Sequence, residues 1–70
     1  MNTQAHFNKG NCLKKLNRLE EALVAYDMTI KYNPTDSYAN YLKGTCLKEL
    51  DRLDEAKTCY DLALKHYPNS

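Results

Sequence analysis

The chain has 70 residues, and its ten Lys and Arg residues against nine Asp and Glu give a formal net charge of +1. A chain of this length forms one small domain with a limited core, so we expect modest stability. Charges of both signs are spread through the sequence, which excludes a general attraction to nucleic acid or to an anionic membrane surface.

The sequence repeats itself with a period of 34 residues. Residues 37–70 align with residues 3–36 without a gap, and the two segments share 15 identical positions. Such dense self-similarity predicts two tandem repeats, at 3–36 and 37–70, that form one structural domain.

The first predicted helix spans residues 3–16, where apolar side chains recur at helical spacing. Gly10 lies in its interior, where glycine costs about 1 kcal/mol relative to alanine. We therefore expect a neighbouring helix to approach closely at Gly10, and again at its counterpart Gly44. The predicted buried face of this helix consists of Ala5, Cys12, Leu13 and Leu16.

The second predicted helix spans residues 19–32, and Asn17 is predicted to cap its N-terminus. Asp27 and Lys31 lie one turn apart with the acid first, which favours a weak ion pair between them. Pro34 disfavours helical geometry in the residue before it, so the helix ends there. The predicted buried face consists of Leu19, Ala22, Leu23, Tyr26, Thr29 and Ile30.

The third and fourth predicted helices span residues 37–50 and 53–67. Asp36 is predicted to cap the third helix, and Pro68 ends the fourth as Pro34 ends the second. Because the connections are short, successive helices are antiparallel, which predicts an all-α fold of two αα-hairpins stacked side by side. The predicted buried faces consist of Ala39, Cys46, Leu47 and Leu50, and of Leu53, Ala56, Tyr60, Ala63 and Leu64.

Cysteine and histidine show no pattern of catalytic or metal chemistry. The three cysteines form no CxxC pair, and we interpret Cys12, Cys46 and Cys59 as small buried hydrophobes. His6 and His66 fall into no recurring spacing. The sequence therefore predicts no enzyme activity, no metal and no cofactor. It also has no signal-peptide core and no bilayer-spanning run, so we expect a soluble intracellular protein of the cytoplasm.

The glycine, alanine, aromatic and proline positions of both repeats resemble those of the tetratricopeptide repeat family. They are Gly10, Ala22, Tyr26 and Pro34 in the first repeat and Gly44, Ala56, Tyr60 and Pro68 in the second. The resemblance implies that the small alanines let each hairpin close on its glycine. It also implies a protein-interaction or scaffold module, in which the first helix of each hairpin lines a concave groove that binds a peptide or a helix of a partner protein.

Carrying that geometry over residue by residue predicts which side chains line the groove. Phe7, Tyr38 and Tyr41 among them are aromatic, as binding interfaces favour. The alternative for Phe7 and Tyr41 is that they wedge between adjacent repeats. The predicted groove residues are Gln4, Phe7, Asn8, Asn11, Lys14 and Lys15 from the first helix, and Tyr38, Tyr41, Leu42, Thr45, Lys48 and Glu49 from the third.

One special kind of groove is not predicted. Tetratricopeptide domains of heat-shock co-chaperones clamp a C-terminal carboxylate with lysine and asparagine side chains. Asn11 matches one of these residues, but Phe7 stands where a lysine is required and Leu42 where a second asparagine is required.

The last hairpin of a two-hairpin stack leaves an apolar flank uncovered, at Leu62, Ala63 and Leu64. We therefore expect either an excerpt of a longer array, or copies that self-associate through this flank or by swapping hairpins into a dimer.

The alternative function is an RNA-binding αα-hairpin module of the pentatricopeptide type. In that case Phe7, Tyr38 and Tyr41 stack on bases while Lys14 and Lys48 meet phosphates. The balanced charge and the tetratricopeptide-type glycine and alanine positions favour the protein-binding interpretation.

Overall fold

The structure is a computed structural model that describes the backbone of residues 3–66 and the side chains of residues 5–66. This part of the chain contains four helices and no strand: α1 (Thr3–Lys15), α2 (Leu19–Tyr32), α3 (Ser37–Glu49) and α4 (Leu53–His66). The predicted all-α fold is confirmed, all four helices begin at their predicted residues, and α1, α2 and α3 each end within one residue of the predicted end. Tyr67, Pro68 and the side chain of Gln4 lie outside the described residues.

Consecutive helices pack against each other, α1 with α2, α2 with α3 and α3 with α4. The α1–α2 and α3–α4 pairs are the two αα-hairpins, and the packing of α2 against α3 joins them. No helix within residues 3–66 has the length and apolar character needed to cross a membrane.

The turn inside each hairpin contains a residue with positive φ, Asn17 at 60° and Asp51 at 63°. In the first turn the Asn17 amide donates to the Lys14 carbonyl at 2.9 Å, and the Arg18 amide donates to the Leu13 carbonyl at 2.8 Å. These two bonds form a Schellman motif, which the second hairpin repeats. The prediction that Asn17 caps α2 is therefore wrong. Arg18 is the N-cap residue, and it makes no side-chain cap bond.

The connection between the hairpins ends α2 and begins α3 as predicted. Asn33, the residue before Pro34, has φ −144° and ψ 77° and closes α2. The Asp36 side chain accepts a hydrogen bond from the Ala39 amide at 3.0 Å, so Asp36 is the N-cap of α3.

The core lies where α2, α3 and α4 meet, and residues from both repeats contribute to it. Phe7 and Leu13 of α1 pack against its edge and are only partly buried. The buried members of the core are Ala22, Leu23, Tyr26, Cys46, Leu47, Ala56 and Cys59.

The outer face of α1 is exposed, contrary to prediction. Ala5 and Cys12 are exposed, and Leu16 is 67% exposed. Their counterparts Ala39 and Cys46 are fully buried, because α2 packs against α3. In the part of the chain that the structure describes, no helix covers the corresponding face of α1. Apolar periodicity identifies a face but not whether a neighbour exists to cover it.

The last helix, α4, also exposes residues that were predicted to be buried. Leu53 is exposed and Leu64 is 72% exposed, whereas Ala56 is buried. Ala63 is buried too, although it was predicted to lie on the uncovered flank. The exposed apolar side chains of this flank are therefore Leu62 and Leu64.

An ion pair joins the two hairpins. Oδ1 of Asp27 in α2 lies 2.6 Å from Nζ of Lys43 in α3. Lys31, the partner predicted one turn along α2, instead places its Nζ 5.9 Å from the centroid of the Tyr32 ring. Asp27 therefore stabilises the contact between repeats rather than its own helix.

Both interior glycines are buried against a tyrosine ring. A Cβ built on Gly10 would lie 2.7 Å from Cε1 of Tyr26, and one built on Gly44 would lie 2.9 Å from Cε1 of Tyr60. The predicted close approach is present, but its nearest partner is a tyrosine ring and not an alanine side chain. At Gly44 the backbone carbonyl of Ala56 also approaches, at 3.3 Å.

Candidate partner-binding groove

The first helices of the two hairpins, α1 and α3, are joined by contacts at both of their ends. Near their N-termini, the ring centroids of Phe7 and Tyr38 are 5.4 Å apart. Near their C-termini, Nζ of Lys14 lies 3.6 Å from Oε2 of Glu49. These two contacts bring Phe7 and Lys14 of α1 beside Tyr38 and Glu49 of α3.

Five aromatic rings follow one another from Tyr26, which is buried on α2, across α1 and α3 to Tyr60 on α4. The centroid distances are 6.1 Å from Tyr26 to Phe7, 5.4 Å from Phe7 to Tyr38, 6.4 Å from Tyr38 to Tyr41 and 5.8 Å from Tyr41 to Tyr60. Each lies within the range of about 4.5–7 Å at which aromatic pairs attract. We call Phe7, Tyr38 and Tyr41 the aromatic row.

The three rings of the aromatic row differ in the surface that they offer to a partner. Tyr38 is 58% exposed and Tyr41 is 50% exposed, whereas Phe7 is only partly exposed. Phe7 contacts Tyr26 of its own hairpin and Tyr38 of the next one. Phe7 thus lies between adjacent repeats, as the wedge interpretation expects, and the two tyrosines provide most of the accessible aromatic surface.

Asn11 and Thr45 occupy the same position in the two repeats, and each is bonded to a tyrosine hydroxyl. Tyr26 Oη donates to Asn11 Oδ1 at 2.6 Å, and Tyr60 Oη donates to Thr45 Oγ1 at 3.3 Å. The Thr45 hydroxyl in turn donates to the Tyr41 carbonyl at 3.1 Å. These bonds tie each groove helix to the helix behind it. Both pairs are 15 residues apart in the sequence, and this shared spacing is the signal that sequence reasoning missed.

Burial changes the acidity of three groups behind the groove. It raises the pKa of the Tyr26 hydroxyl to about 12, with a smaller contribution from negative charge on Cys46 and Tyr38. Burial also raises the pKa of the Cys46 and Cys59 thiols above their ordinary value. Tyr26 therefore stays a neutral donor to Asn11 near neutral pH, and the two thiols act as apolar packing groups.

The C-terminal end of the groove is basic. Lys14 and Lys15 lie in the last turn of α1, and Lys48 lies in the last turn of α3. The carboxylate of Glu49 pairs with Lys14, while Lys15 and Lys48 are exposed. A ligand that reaches this end meets ammonium groups about two helical turns along α3 from Tyr41.

The remaining predicted groove residues are placed differently from one another. Asn8 is exposed, whereas Leu42 is partly buried against the core. Leu42 therefore supports the floor of the groove more than its surface. Among the described residues, no three His, Cys, Asp or Glu side chains lie together as metal ligands.

Two family models described as tetratricopeptide repeat match the chain, one over residues 3–36 and the other over residues 37–70. A comparison with curated proteins gave no significant match. The matched segments coincide with the two predicted repeats and contain the α1–α2 and α3–α4 hairpins. The chain therefore belongs to the tetratricopeptide repeat family, whose helical hairpins generally form non-catalytic scaffolds for protein–protein interaction.

Proposed function

We propose that this module binds a segment of a partner protein in the groove formed by α1 and α3. The observation that carries the proposal is the half-exposed pair Tyr38 and Tyr41, held in place by Phe7 and Tyr60. Exposed tyrosines fixed by neighbouring rings present a large apolar surface at little cost in side-chain entropy, which is why interfaces favour them.

The charges suggest what the bound segment carries. Lys15 and Lys48 are exposed at the C-terminal end of the groove, beside the Lys14–Glu49 pair. A segment with an apolar or aromatic anchor for the aromatic row, and an acidic side chain one or two turns away, complements this surface. An extended peptide and a helix both meet these requirements.

We also infer that the outer faces of the hairpins take part in assembly. Leu16 on α1 and Leu64 on α4 are large, apolar and exposed, and such surface favours a covering partner. That partner is a further repeat in a longer array or another copy of the chain. Two copies can also associate by exchanging hairpins, which gives a swapped dimer. Because all three cysteines are free, we place the protein in the cytoplasm, where thiols stay reduced.

RNA binding is the second candidate, and one observation favours it. The Tyr38 and Tyr41 rings are nearly parallel, with an interplanar angle of 9°, and a nucleobase can stack on exposed rings of this kind. The pairing of Lys14 with Glu49 weakens it, because a carboxylate repels phosphate.

A peptide-display selection on the whole chain tests the groove. We expect the selected peptides to share an apolar or aromatic anchor and an acidic residue. Their affinity should fall roughly tenfold or more for the double variant Tyr38→Ala/Tyr41→Ala, with an unchanged helical circular dichroism spectrum.

The matched control is Tyr32→Ala, which removes a tyrosine that is 41% exposed on α2 and stacks on His6. This variant should bind the selected peptides as the wild type does. Equal binding by the double variant would refute the groove. Single-stranded RNA that binds at physiological salt and is lost in the double variant would support the second candidate instead.

A further inference from the structure

The joint between the hairpins shows how one repeat of this chain packs on the next. Asp27 of α2 pairs with Lys43 of α3 at 2.6 Å. A crevice of 370 Å³ at this joint is lined by Leu23 and Asp27 from α2 and by Lys43 and Leu47 from α3. The joint therefore combines apolar contact with a specific ion pair.

Among residues 3–66, no helix of another hairpin packs on the face of α1 that corresponds to the α3 side of this joint. Lys9 and Leu13, the counterparts of Lys43 and Leu47, line a cleft of 290 Å³ on the first hairpin. Cys12 is exposed, whereas its counterpart in α3 is fully buried. We call this surface the head face, and it consists of Ala5, Lys9, Cys12, Leu13 and Leu16.

In the described part of the chain, no helix packs on the face of α4 that corresponds to the α2 side of the joint. Asp61, the counterpart of Asp27, is exposed. Leu53 and Leu64 are exposed where their counterparts in α2 are partly buried. We call this surface the tail face, and it consists of Leu53, Lys57, Tyr60, Asp61 and Leu64.

We propose that copies of this chain stack head to tail, with the tail face of one copy packed on the head face of the next as α2 packs on α3. Asp61 of one copy then pairs with Lys9 of the next, as Asp27 pairs with Lys43 within the chain. This specifies the self-association proposed above, and it does not depend on what the groove binds.

Apolar residues match across the same contact. Leu19 of α2 and Leu50 line one crevice at the internal joint. Their exposed counterparts are Leu53 on the tail face and Leu16 on the head face. Stacking brings these two leucines together and removes both from water, which supplies a driving force of the same kind as at the internal joint.

The stack is open-ended, because the head face and the tail face are different surfaces. Such a heterologous contact leaves one free head and one free tail after each addition, so it does not close into a dimer. Average mass therefore rises continuously with concentration. The groove of each copy continues into that of the next, as in longer repeat arrays.

Two positions make the contact between copies weaker than the internal joint. Lys57 on the tail face stands where α2 carries Leu23. Within the chain, Nζ of Lys14 lies 3.6 Å from Oε2 of Glu49 in the next repeat. At the contact between copies the equivalent positions are occupied by Lys48 of one copy and Lys15 of the next, which are both positively charged. Because like charges repel, we expect the contact between copies to be weaker than the internal joint.

Charge reversal tests the pairing of Asp61 with Lys9 by sedimentation velocity. Lys9→Asp and Asp61→Lys should each shift the onset of assembly to about tenfold higher concentration. The double variant, with the wild-type net charge, should restore assembly. An equimolar mixture of the two single variants should also restore it, because each variant then offers a complementary face to the other.

Lys15→Glu tests the orientation independently. It replaces the repulsion between Lys48 and Lys15 with an ion pair equivalent to Lys14–Glu49. Assembly should therefore begin at lower concentration than in the wild type. Lys31→Glu makes the same change of net charge on neither face, and it should leave assembly unchanged.

The reactivity of Cys12 reports the contact itself. Among the three cysteines Cys12 alone is exposed, while Cys46 and Cys59 are buried. The rate of its alkylation should fall as protein concentration rises, because stacking buries Cys12 as α2 buries Cys46. In Asp61→Lys the rate should stay high at the same concentrations.

Two outcomes would overturn the proposal. One is a strict monomer for both the wild type and Lys15→Glu up to about millimolar concentration, where even weak specific contacts assemble. The other is a closed dimer, isologous or hairpin-swapped, whose mass and Cys12 reactivity do not respond to Lys9→Asp or Lys15→Glu.

Discussion

The ring of Tyr26 packs so closely on Gly10 that a Cβ built on Gly10 would lie 2.7 Å from Cε1 and 2.9 Å from Cδ1 of the ring. Tyr26 is fully buried, and its hydroxyl is bonded to Asn11, the next residue along α1. The ring therefore has little freedom to move aside. This contact sets the distance between α1 and α2, and the equivalent contact of Tyr60 with Gly44 does so in the second hairpin.

We predict that Gly10→Ala destabilises the protein despite the better helix propensity of alanine. Alanine gains about 1 kcal/mol in a helix interior, but forcing a buried ring aside costs about 1–3 kcal/mol. A net loss of about 1 kcal/mol lowers Tm by roughly 4–8 °C in a domain of this size. Gly44→Ala should lose less, because the Tyr60 ring is partly exposed and can shift. An unchanged or higher Tm for Gly10→Ala, measured by circular dichroism, would contradict the prediction.

Local structure could be predicted from the sequence, because it depends on residues that are close along the chain. The 34-residue period, Pro34 and the Asp36 cap placed the starts of all four helices and the ends of α1, α2 and α3 to within a residue. Burial on the outer faces could not be predicted, because it depends on a neighbour. Cys12 and Cys46 occupy equivalent positions in the two repeats, yet within residues 3–66 only Cys46 has a helix of the other hairpin packed on it.

We predict that Tyr26 makes the protein lose stability at alkaline pH. Its pKa is raised to about 12 by burial, against 10.0 for an unperturbed tyrosine. The contribution is therefore fully present below pH 10 and is lost as pH rises from 10 to about 12, because the unfolded chain releases the proton first. The buried Cys46 and Cys59 thiols also have raised pKa values, so they too lower the stability as pH rises, beginning at a lower pH than Tyr26.

The variant Tyr26→Phe isolates this effect, because the two thiols remain. At neutral pH it should lose about 1 kcal/mol, since Asn11 loses the hydroxyl donor at 2.6 Å. Urea unfolding at several pH values should show the difference between wild type and variant shrinking above pH 10. Curves that stay parallel up to pH 12 would show that Tyr26 does not titrate as described.

We predict a measurable coupling between Asp27 and Lys43, the ion pair of the hairpin joint. A double-mutant cycle of Asp27→Asn and Lys43→Gln should give a coupling of about 0.5 kcal/mol, since both side chains are partly solvated. The coupling should fall in high salt. The control cycle pairs Asp27→Asn with Lys31→Gln and should give nearly zero. Equal coupling in the two cycles would mean that the pair within α2 forms in solution after all.

The candidate groove could be predicted only in part. The family resemblance pointed to α1 and α3, and both helices do share one surface. Which polar residues are already occupied depends on contacts between helices, and the periodicity of one helix does not contain them. Asn11 is a predicted groove residue, but its Oδ1 accepts a hydrogen bond from the Tyr26 hydroxyl. Thr45 bonds to Tyr60 in the same way.

We predict that Asn17 and Asp51 respond to substitution as positive-φ residues and not as helix caps. Both have φ near 60°, where a residue with a Cβ is strained by roughly 1–2 kcal/mol and asparagine or aspartate is strained less. Asn17→Gly should therefore be at least as stable as the wild type, because glycine adopts this conformation freely. Asn17→Thr should lose about 1–2 kcal/mol of unfolding free energy, since a β-branched residue is a poor fit at positive φ.

Threonine is a good N-cap residue, so if Asn17 acted as a cap, Asn17→Thr would remain close to the wild type in urea unfolding. Asp51→Gly and Asp51→Thr should show the same order, and a threonine variant as stable as its glycine partner at either position would contradict the turn geometry.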